Sequence, residues 1–129
     1  MLGQVFYISR SLATPMEVEQ ILEGARHQNR RRGVTGSLLF TGGHFAQLLE
    51  GPAPALAETM TIIGADRRHE AVRRLIEVKI VERRFEGWSM AFAAAPGADD
   101  LIEQLLATPE VPTARAERLL ELMLKTACA

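Results

Sequence analysis

The chain has 129 residues, a length that fits one domain with a hydrophobic core of its own. Hydrophobic residues make up 47% and charged residues 24%, the balance of an ordinary globular protein. The formal net charge is −1, which gives no general attraction to nucleic acid or to a membrane surface. We therefore expect neither nucleic acid nor a membrane as a direct partner.

The lone cysteine, Cys128, excludes a disulfide framework and argues against a cysteine-based metal site. The polar start of the chain does not resemble a signal peptide. No apolar run approaches the roughly 18–20 residues that cross a bilayer. These features predict a cytoplasmic protein without a metal.

The first part of the chain predicts a strand and then a helix. Residues 5–8 are apolar and rich in strand formers. Residues 14–17, Thr-Pro-Met-Glu, have the pattern of a helix start, because the Thr and Glu side chains can cap each other's backbone amides. An apolar stripe with helical spacing follows: Val18, Ile21, Leu22 and Ala25. The polar residues 27–32, with Gly33 just beyond them, predict the end of the helix.

The middle of the chain predicts a hairpin and a second helix. Residues 34–41 and 44–50 are expected to be antiparallel strands, because Gly42-Gly43 between them is a two-residue turn signal. A second helical stripe follows: Leu56, Thr59, Met60 and Ile63. We expect the polar cluster of residues 66–69 to end that helix.

Two further strands complete the predicted sheet. Residues 72–81 are mostly strand-like, and another strand is expected around Trp88-Ser89-Met90. The order β-α-β-β-α-β with an added strand is the ferredoxin-like arrangement of the α+β class. That arrangement places two helices on one face of a mixed sheet.

Pro96-Gly97 marks a boundary between a domain of residues 1–95 and a helical extension of residues 96–129. Pro109 and Pro112 separate two short apolar helices in the extension. Their apolar stripes are Leu101, Ile102, Leu105 and Leu106 in the first, and Ala116, Leu119, Leu120, Met123 and Leu124 in the second. These stripes must cover the open face of the sheet or a partner, and the sequence leaves both alternatives open.

Tyr7 and Gln47 are polar side chains inside strands that are otherwise apolar. The first and third strands of a ferredoxin-like sheet are neighbours, and alternate residues share a face. The two side chains can therefore lie side by side toward the helices. A buried phenol and a buried amide both need hydrogen-bond partners. By position alone, a purely structural pair is the simpler interpretation.

Other polar residues are expected near the ends of the two helices. Asn29 fits a helix cap or turn, residues 67–69 complement a helix dipole, and residues 30–32 fit a solvated basic face. Each has an ordinary structural explanation. Together they surround a place between the helices where a planar heteroaromatic group with one polar edge would fit.

Five short segments follow one another along the chain. They are Tyr7-Ile8-Ser9, Asn29 with Gly33-Val34-Thr35-Gly36, Phe45-Ala46-Gln47-Leu48-Leu49-Glu50-Gly51, Asp66-Arg67-Arg68-His69, and Arg84-Phe85-Glu86-Gly87-Trp88-Ser89-Met90. In this order and spacing the chain resembles the BLUF family of flavin photoreceptors over residues 4–92.

The resemblance implies that FAD binds non-covalently between the two helices, with FMN as an alternative. Tyr7 matches the family's light-driven donor of an electron and a proton. Gln47 matches the glutamine that bridges this tyrosine to the flavin. Gln28 stands where other members carry His or Asn before Asn29. This difference is expected to change how tightly the flavin binds rather than whether it binds.

The resemblance also implies roles for residues around the flavin. Asn29 matches the asparagine that holds the polar edge of the ring, and Arg68 and His69 match a pair on the same side of the flavin. Trp88 and Met90 match residues of a late strand near the glutamine that carry the signal outward.

The function implied by the resemblance is that of a blue-light receptor and not an enzyme. Excitation would change the hydrogen bonds of Gln47, by rotation or by tautomerisation of its side chain. The change would reach the C-terminal helices and a separate signalling protein. The apolar tail also makes a homo-oligomer plausible.

Other functions are compatible with the same fold. The main alternative is a non-photoactive ferredoxin-like module that binds an anionic ligand through Arg67, Arg68 and residues 30–32. A hydrolase of the acylphosphatase type is less favoured, because residues 9–11, Ser-Arg-Ser, do not form a glycine-rich phosphate loop. A flavin oxidoreductase is a third possibility, but the sequence shows no nicotinamide site.

Overall fold

The computed structural model describes residues 1–126, except for the side chain of Thr126, and Cys128 lies outside this range. The five strands are β1 Leu2–Ser11, β2 Thr35–Phe40, β3 His44–Pro52, β4 His69–Ile80 and β5 Ala91–Ala94. The helices are α1 Pro15–Arg32, α2 Ala53–Ala65, α3 Asp99–Ala107 and α4 Thr113–Thr126. Among the described helices, none is both long and apolar enough to cross a membrane.

The strands form a single sheet in the order β4-β1-β3-β2-β5. β1 pairs antiparallel with both β3 and β4, β2 pairs antiparallel with β3, and β5 runs parallel to β2. The ferredoxin-like prediction of a mixed sheet is therefore confirmed.

Local signals set the boundaries of α1. The Thr14 hydroxyl accepts from the Glu17 amide at 3.2 Å, and the Glu17 carboxylate accepts from the Thr14 amide at 2.9 Å. At the other end, Gly33 adopts a left-handed conformation with φ of 71°, which a side chain would disfavour. The predicted start and end of this helix are confirmed.

The predicted end of the second helix is wrong for Arg67, Arg68 and His69. α2 ends at Ala65, and His69 is already the first residue of β4. The Asp66 carboxylate accepts from the Arg68 amide at 2.9 Å, which folds the chain into a local turn. That turn stops the helix before the basic residues.

The strand expected around Trp88-Ser89-Met90 is also misplaced, since β5 begins only at Ala91. Two side chains of α1 donate hydrogen bonds to carbonyl groups of this segment. Asn29 Nδ2 donates to the Ser89 carbonyl at 3.0 Å, and Arg26 Nε donates to the Met90 carbonyl at 2.9 Å. These donors replace the pairing that a neighbouring strand would provide.

Alternating residues of the strands supply two separate cores. Val5 and Tyr7 of β1 pack toward α1 and α2, whereas Phe6 and Ile8 pack on the opposite face. Apolar residues of α3 and α4 lie on that opposite face: Ile102, Leu105, Leu119, Leu120 and Met123. Of the two alternatives left open for these stripes, the structure shows them covering the sheet.

Two bulges in β4 decide which side chains reach each face. Phe6 pairs with Ile76 but Tyr7 pairs with Arg74, and Ile8 pairs with Arg73 but Arg10 with Glu70, so extra β4 residues are inserted at two points. Since each inserted residue reverses the alternation, the second bulge turns His69 toward the face of Tyr7. The first turns Arg73 toward α3.

Polar contacts attach α3 to the sheet at both ends. At its first turns, the His44 ring nitrogens lie 2.7 Å from Asp99 Oδ1 and 2.5 Å from Glu103 Oε2. Arg10 Nη2 donates to Glu103 Oε1 at 2.5 Å. At the other end, the Arg73 guanidinium donates to the carbonyl of Leu105 in the last turn of α3 and to the carbonyls of Thr108 and Pro109 just beyond it.

Candidate functional site

A cavity of about 360 Å³ lies between α1, α2 and the sheet. This volume falls in the roughly 300–1,000 Å³ range of small-molecule sites. Its walls are largely apolar and include Ile21, Ala25, Leu38, Phe45, Ile62 and Ile63. The structure also brings to this cavity all the residues predicted to contact a cofactor: Tyr7, Asn29, Gln47, Arg68 and His69.

Tyr7 and Gln47 face each other across the pairing of β1 and β3. The Tyr7 hydroxyl donates a hydrogen bond to Gln47 Oε1, and both side chains are buried. Burial, together with the negative charge of Asp66, raises the pKa of Tyr7. The phenol therefore keeps its proton and acts as a hydrogen-bond donor at the cavity wall.

The other end of the Gln47 amide contacts Met90. Gln47 Nε2 donates to Met90 Sδ at 3.6 Å, and the Met90 side chain is only 2% exposed. The two ends of one amide are thus matched to different neighbours, a hydroxyl donor at its oxygen and a thioether acceptor at its nitrogen. Exchanging the two ends would break both matches at once.

Trp88 lies apart from Gln47. Its side chain is 37% exposed, and its ring contacts the Phe85 ring with the centroids 5.6 Å apart. Leu124 of α4 and Arg84 line the same surface depression as Trp88. Of the two residues predicted to carry the signal outward, Met90 therefore contacts Gln47, and Trp88 faces the C-terminal helices.

Asn29 joins the cavity to the segment that carries Met90. It lies in the last turns of α1, is 2% exposed and lines the cavity. Its amide nitrogen donates to the Ser89 carbonyl. Its backbone carbonyl accepts from the Gly33 amide at the end of α1, and its side chain links α1 to the residue next to Met90.

His69 reaches the cavity from the start of β4. Its Nε2 lies 2.7 Å from the Ile63 carbonyl, and its Nδ1 lies 2.8 Å from the Ser9 hydroxyl. A carbonyl can only accept, so Nε2 carries a proton. The ring lies edge-on to Tyr7, with centroids 6.2 Å apart. This fixes the imidazole as a wall of the cavity beside the phenol.

Arg68 is held by Asp66 at the same end of the cavity. Arg68 Nη2 lies 2.7 Å from Asp66 Oδ2, and hydrogen bonds from Arg68 lower the pKa of Asp66. At the far end, Arg32 of α1 lies 3.7 Å from Glu58 in the first half of α2. The helices therefore run in opposite directions, and Asn29 and His69 lie at opposite ends of the cavity.

The lining fits an isoalloxazine ring. Apolar side chains from α1, α2 and the sheet suit its flat faces, and amide and phenol groups can satisfy its polar edge. Asn29 and Gln47, which contact the adjacent residues Ser89 and Met90, would hold that edge, and His69 would face the ring from the opposite end of the cavity. Among residues 1–126, no group of three or more His, Cys, Asp or Glu side chains is arranged to hold a metal ion.

Two residues near the site were not assigned a role from the sequence, Arg26 and Glu50. Glu50 is fully buried in β3 and accepts hydrogen bonds from the amides of Arg84 and Phe85 at 2.8 and 3.0 Å. A charged residue inside an apolar strand was the available signal for Glu50. Arg26 gave no such signal, because a basic residue in a helix is ordinary.

Comparison with protein families and solved structures identifies proteins similar to this chain. The profile of the BLUF family, described as "Sensors of blue-light using FAD", matches residues 2–91. The solved structure "BlrB - a BLUF protein, dark state structure" superposes with a TM-score of 0.79 at 32% identity, covering 96% of each chain.

Two curated relatives are much longer than this chain. The photoactivated adenylate cyclase subunit beta of Euglena longa is 30% identical over 108 residues, which cover 77% of this chain and 13% of the cyclase. The blue light- and temperature-regulated antirepressor BluF of Escherichia coli (strain K12) is 38% identical over 69 residues. These cover 54% of this chain and 17% of the antirepressor.

Proposed function

Because the chain belongs to the BLUF family of blue-light sensors that use FAD, we propose that Tyr7, Gln47 and Met90 form its hydrogen-bond switch. One observation carries the proposal. A single buried amide bridges a phenol that lines the cavity and a thioether outside the lining. A change in that amide therefore alters both its contact with the phenol and its contact with the thioether.

When bound, the flavin supplies the absorption of blue light and an excited state that accepts an electron. Tyr7 is placed to be the donor, since its phenol lines the cavity and its hydroxyl is bonded to Gln47 Oε1. A phenol that has lost an electron becomes a strong acid. Its proton therefore moves along the existing hydrogen bond to the Gln47 oxygen, and an electron and a proton then return to Tyr7, so that the phenol ends unchanged and only the hydrogen bonds of Gln47 differ.

Gln47 then changes the group that it presents to each neighbour, by rotation or by tautomerisation. After rotation the amide oxygen replaces Nε2 beside Met90 Sδ, and after tautomerisation Nε2 keeps only one of its two protons, so the hydrogen bond to Met90 is lost in the first case and competes for a single proton in the second. A buried partner left unsatisfied costs about 1–3 kcal/mol. This is enough to shift a two-state neighbour by roughly tenfold. Met90 is the neighbour that responds first.

The cofactor is proposed to be FAD rather than FMN. The residues named above grip the ring that both flavins share, so the choice rests on the family's description. Chromatography of the flavin released by denaturing the protein distinguishes the two. Recovery of FMN alone from cells that contain both would contradict this part of the proposal.

Output is proposed to pass to α3 and α4, and from them to a separate signalling protein or to a second copy of the chain. Trp88 supports this route, because it follows the segment bonded to Glu50 and faces Leu124 of α4. We place the sensor in the cytoplasm. The family's description as a sensor supports the prediction that this domain is not an enzyme.

The test is the absorption spectrum of the flavin-loaded protein before and after blue light. The wild type should show a red shift that reverses in the dark, and Gln47→Leu should bind flavin without shifting. Gln20→Leu is the matched control, since Gln20 also lines the cavity but is exposed. A flavin-loaded wild type whose spectrum does not respond to light would refute the proposed function.

A further inference from the structure

Residues 88–90, which deliver Met90 to Gln47, lie outside the strands of the sheet. Three donors hold the carbonyl groups of this segment. The Gly36 amide bonds the Trp88 carbonyl at 3.2 Å, Asn29 Nδ2 bonds the Ser89 carbonyl at 3.0 Å, and Arg26 Nε bonds the Met90 carbonyl at 2.9 Å. The position of Met90 therefore depends on side chains of α1.

Arg26 differs from Asn29 in one respect that matters. Both lie on one face of α1, three residues apart. Asn29 lines the cavity, whereas Arg26 is outside the set of lining residues and its Nε donates to the segment. A substitution of Arg26 can therefore alter the hold on Met90 without removing a group from the flavin site.

Methionine needs such a hold, because its side chain is flexible and adapts to many positions. Met90 Sδ meets Gln47 Nε2 at 3.6 Å only while the backbone of Met90 stays in place. When the Gln47 amide rotates, the first of the two routes given above, an oxygen of Gln47 rather than its amide nitrogen faces the sulfur. With Met90 fixed, that contact between two acceptors is unfavourable and drives the amide back.

We infer that Arg26 is a positioning residue that clamps Met90 against Gln47 and so shortens the lifetime of the light-induced state. The inference rests on the proposed function. Without the clamp, Met90 can move away from the switched amide, and the light-induced state then lasts longer. The direction of the change in the dark-recovery rate distinguishes this role from a general loss of structure, which is not expected to slow dark recovery.

The experiment compares dark recovery after a blue pulse in flavin-loaded variants. Arg26→Met keeps an unbranched apolar stem but removes the donor. It should slow recovery by roughly tenfold, the equivalent of one lost hydrogen bond from a charged group. Arg26→Lys keeps a cationic donor and should recover within about threefold of the wild type. Arg30→Met, on an exposed position of the same helix, should leave recovery unchanged.

Recovery of Arg26→Met at the wild-type rate or faster would overturn the inference. Should that variant not fold, Arg26→Gln is judged by the same criterion, with a smaller slowing expected because it keeps a neutral donor. The wild type separates the two claims. A wild type that shows no light-induced change refutes the proposed function, whereas a cycling wild type with an unaltered Arg26→Met refutes only the role of Arg26.

Discussion

The two faces of the sheet are built from alternating residues of the same strands, yet they differ in packing and polarity. On the face toward α3 and α4, Phe6 and Ile8 are fully buried in a continuous apolar core. On the face toward α1 and α2, Tyr7 and Gln47 border a cavity of about 360 Å³. A strand can thus serve stability on one side and chemistry on the other, because its side chains alternate.

The difference has an energetic consequence. Side chains around a cavity lack contacts on one side and lose the attraction that close packing gives. The face toward α3 and α4 should therefore hold most of the free energy of folding. The cavity face should gain stability from flavin, since a ligand that binds only the folded state stabilises it by mass action.

The largest effect is expected from removing a side chain from the packed face. Ile102 is fully buried in α3, so Ile102→Ala should lower the free energy of unfolding by about 3 kcal/mol. Ile21 is the matched residue on the cavity side and is only partly buried. Ile21→Ala should cost about 1 kcal/mol in the flavin-free protein. Urea denaturation measures both, and equal losses would mean that the faces do not differ as described.

The attachment of α3 to the packed face should depend on pH. Hydrogen bonds from Arg10 and then His44 lower the pKa of Glu103 from 4.5 to about 2. Since the folded-state pKa is the lower one, the stabilisation is complete above pH 4.5 and is lost as the pH falls toward 2. The melting temperature of Glu103→Gln, measured at several pH values, should therefore change less than that of the wild type between pH 4.5 and 2.

The control for this pH effect is Glu110→Gln, because Glu110 is an exposed carboxylate beyond the end of α3. It should leave the pH dependence of the melting temperature as in the wild type. If Glu103→Gln kept the full wild-type slope between pH 4.5 and 2, the cluster around Glu103 would not anchor α3 through its charge.

The smallest effect concerns the bulge that turns His69 toward the cavity. Ala71 in this bulge has a φ of 55°, a left-handed conformation that disfavours a side chain. Ala71→Gly should raise the free energy of unfolding by about 0.5 kcal/mol, after the added flexibility of the unfolded chain is counted. Ala57→Gly, at an exposed position within α2, should instead lower it by about 1 kcal/mol. A loss of stability in Ala71→Gly would contradict the strained conformation.

Features with local causes could be predicted from the sequence. The capping pair Thr14 and Glu17, together with Gly33, bounded α1, and the alternation of side chains placed Tyr7 beside Gln47. The cavity followed from these, because the ferredoxin-like topology puts both helices on one face.

Features that depend on irregular contacts, outside the regular pairing of strands, could not be predicted. Residues 88–90 have a strand-like composition, but side chains of Arg26 and Asn29, about 60 positions earlier, take two of their carbonyl groups. The bulges of β4 have no glycine to announce them, since Ala71 occupies the left-handed position. Simple alternation along β4 would place Arg73 on the wrong face, whereas the two bulges together return His69 to the face that alternation gives it.

The most direct test of the switch is the light-minus-dark difference spectrum of Tyr7→Phe. This variant keeps the ring that fills the core but removes the hydroxyl bonded to Gln47 Oε1. It should bind flavin and show no reversible red shift under illumination that converts the wild type. A Tyr7→Phe protein that still shifts to the red and recovers in the dark would contradict the central role of this hydrogen bond.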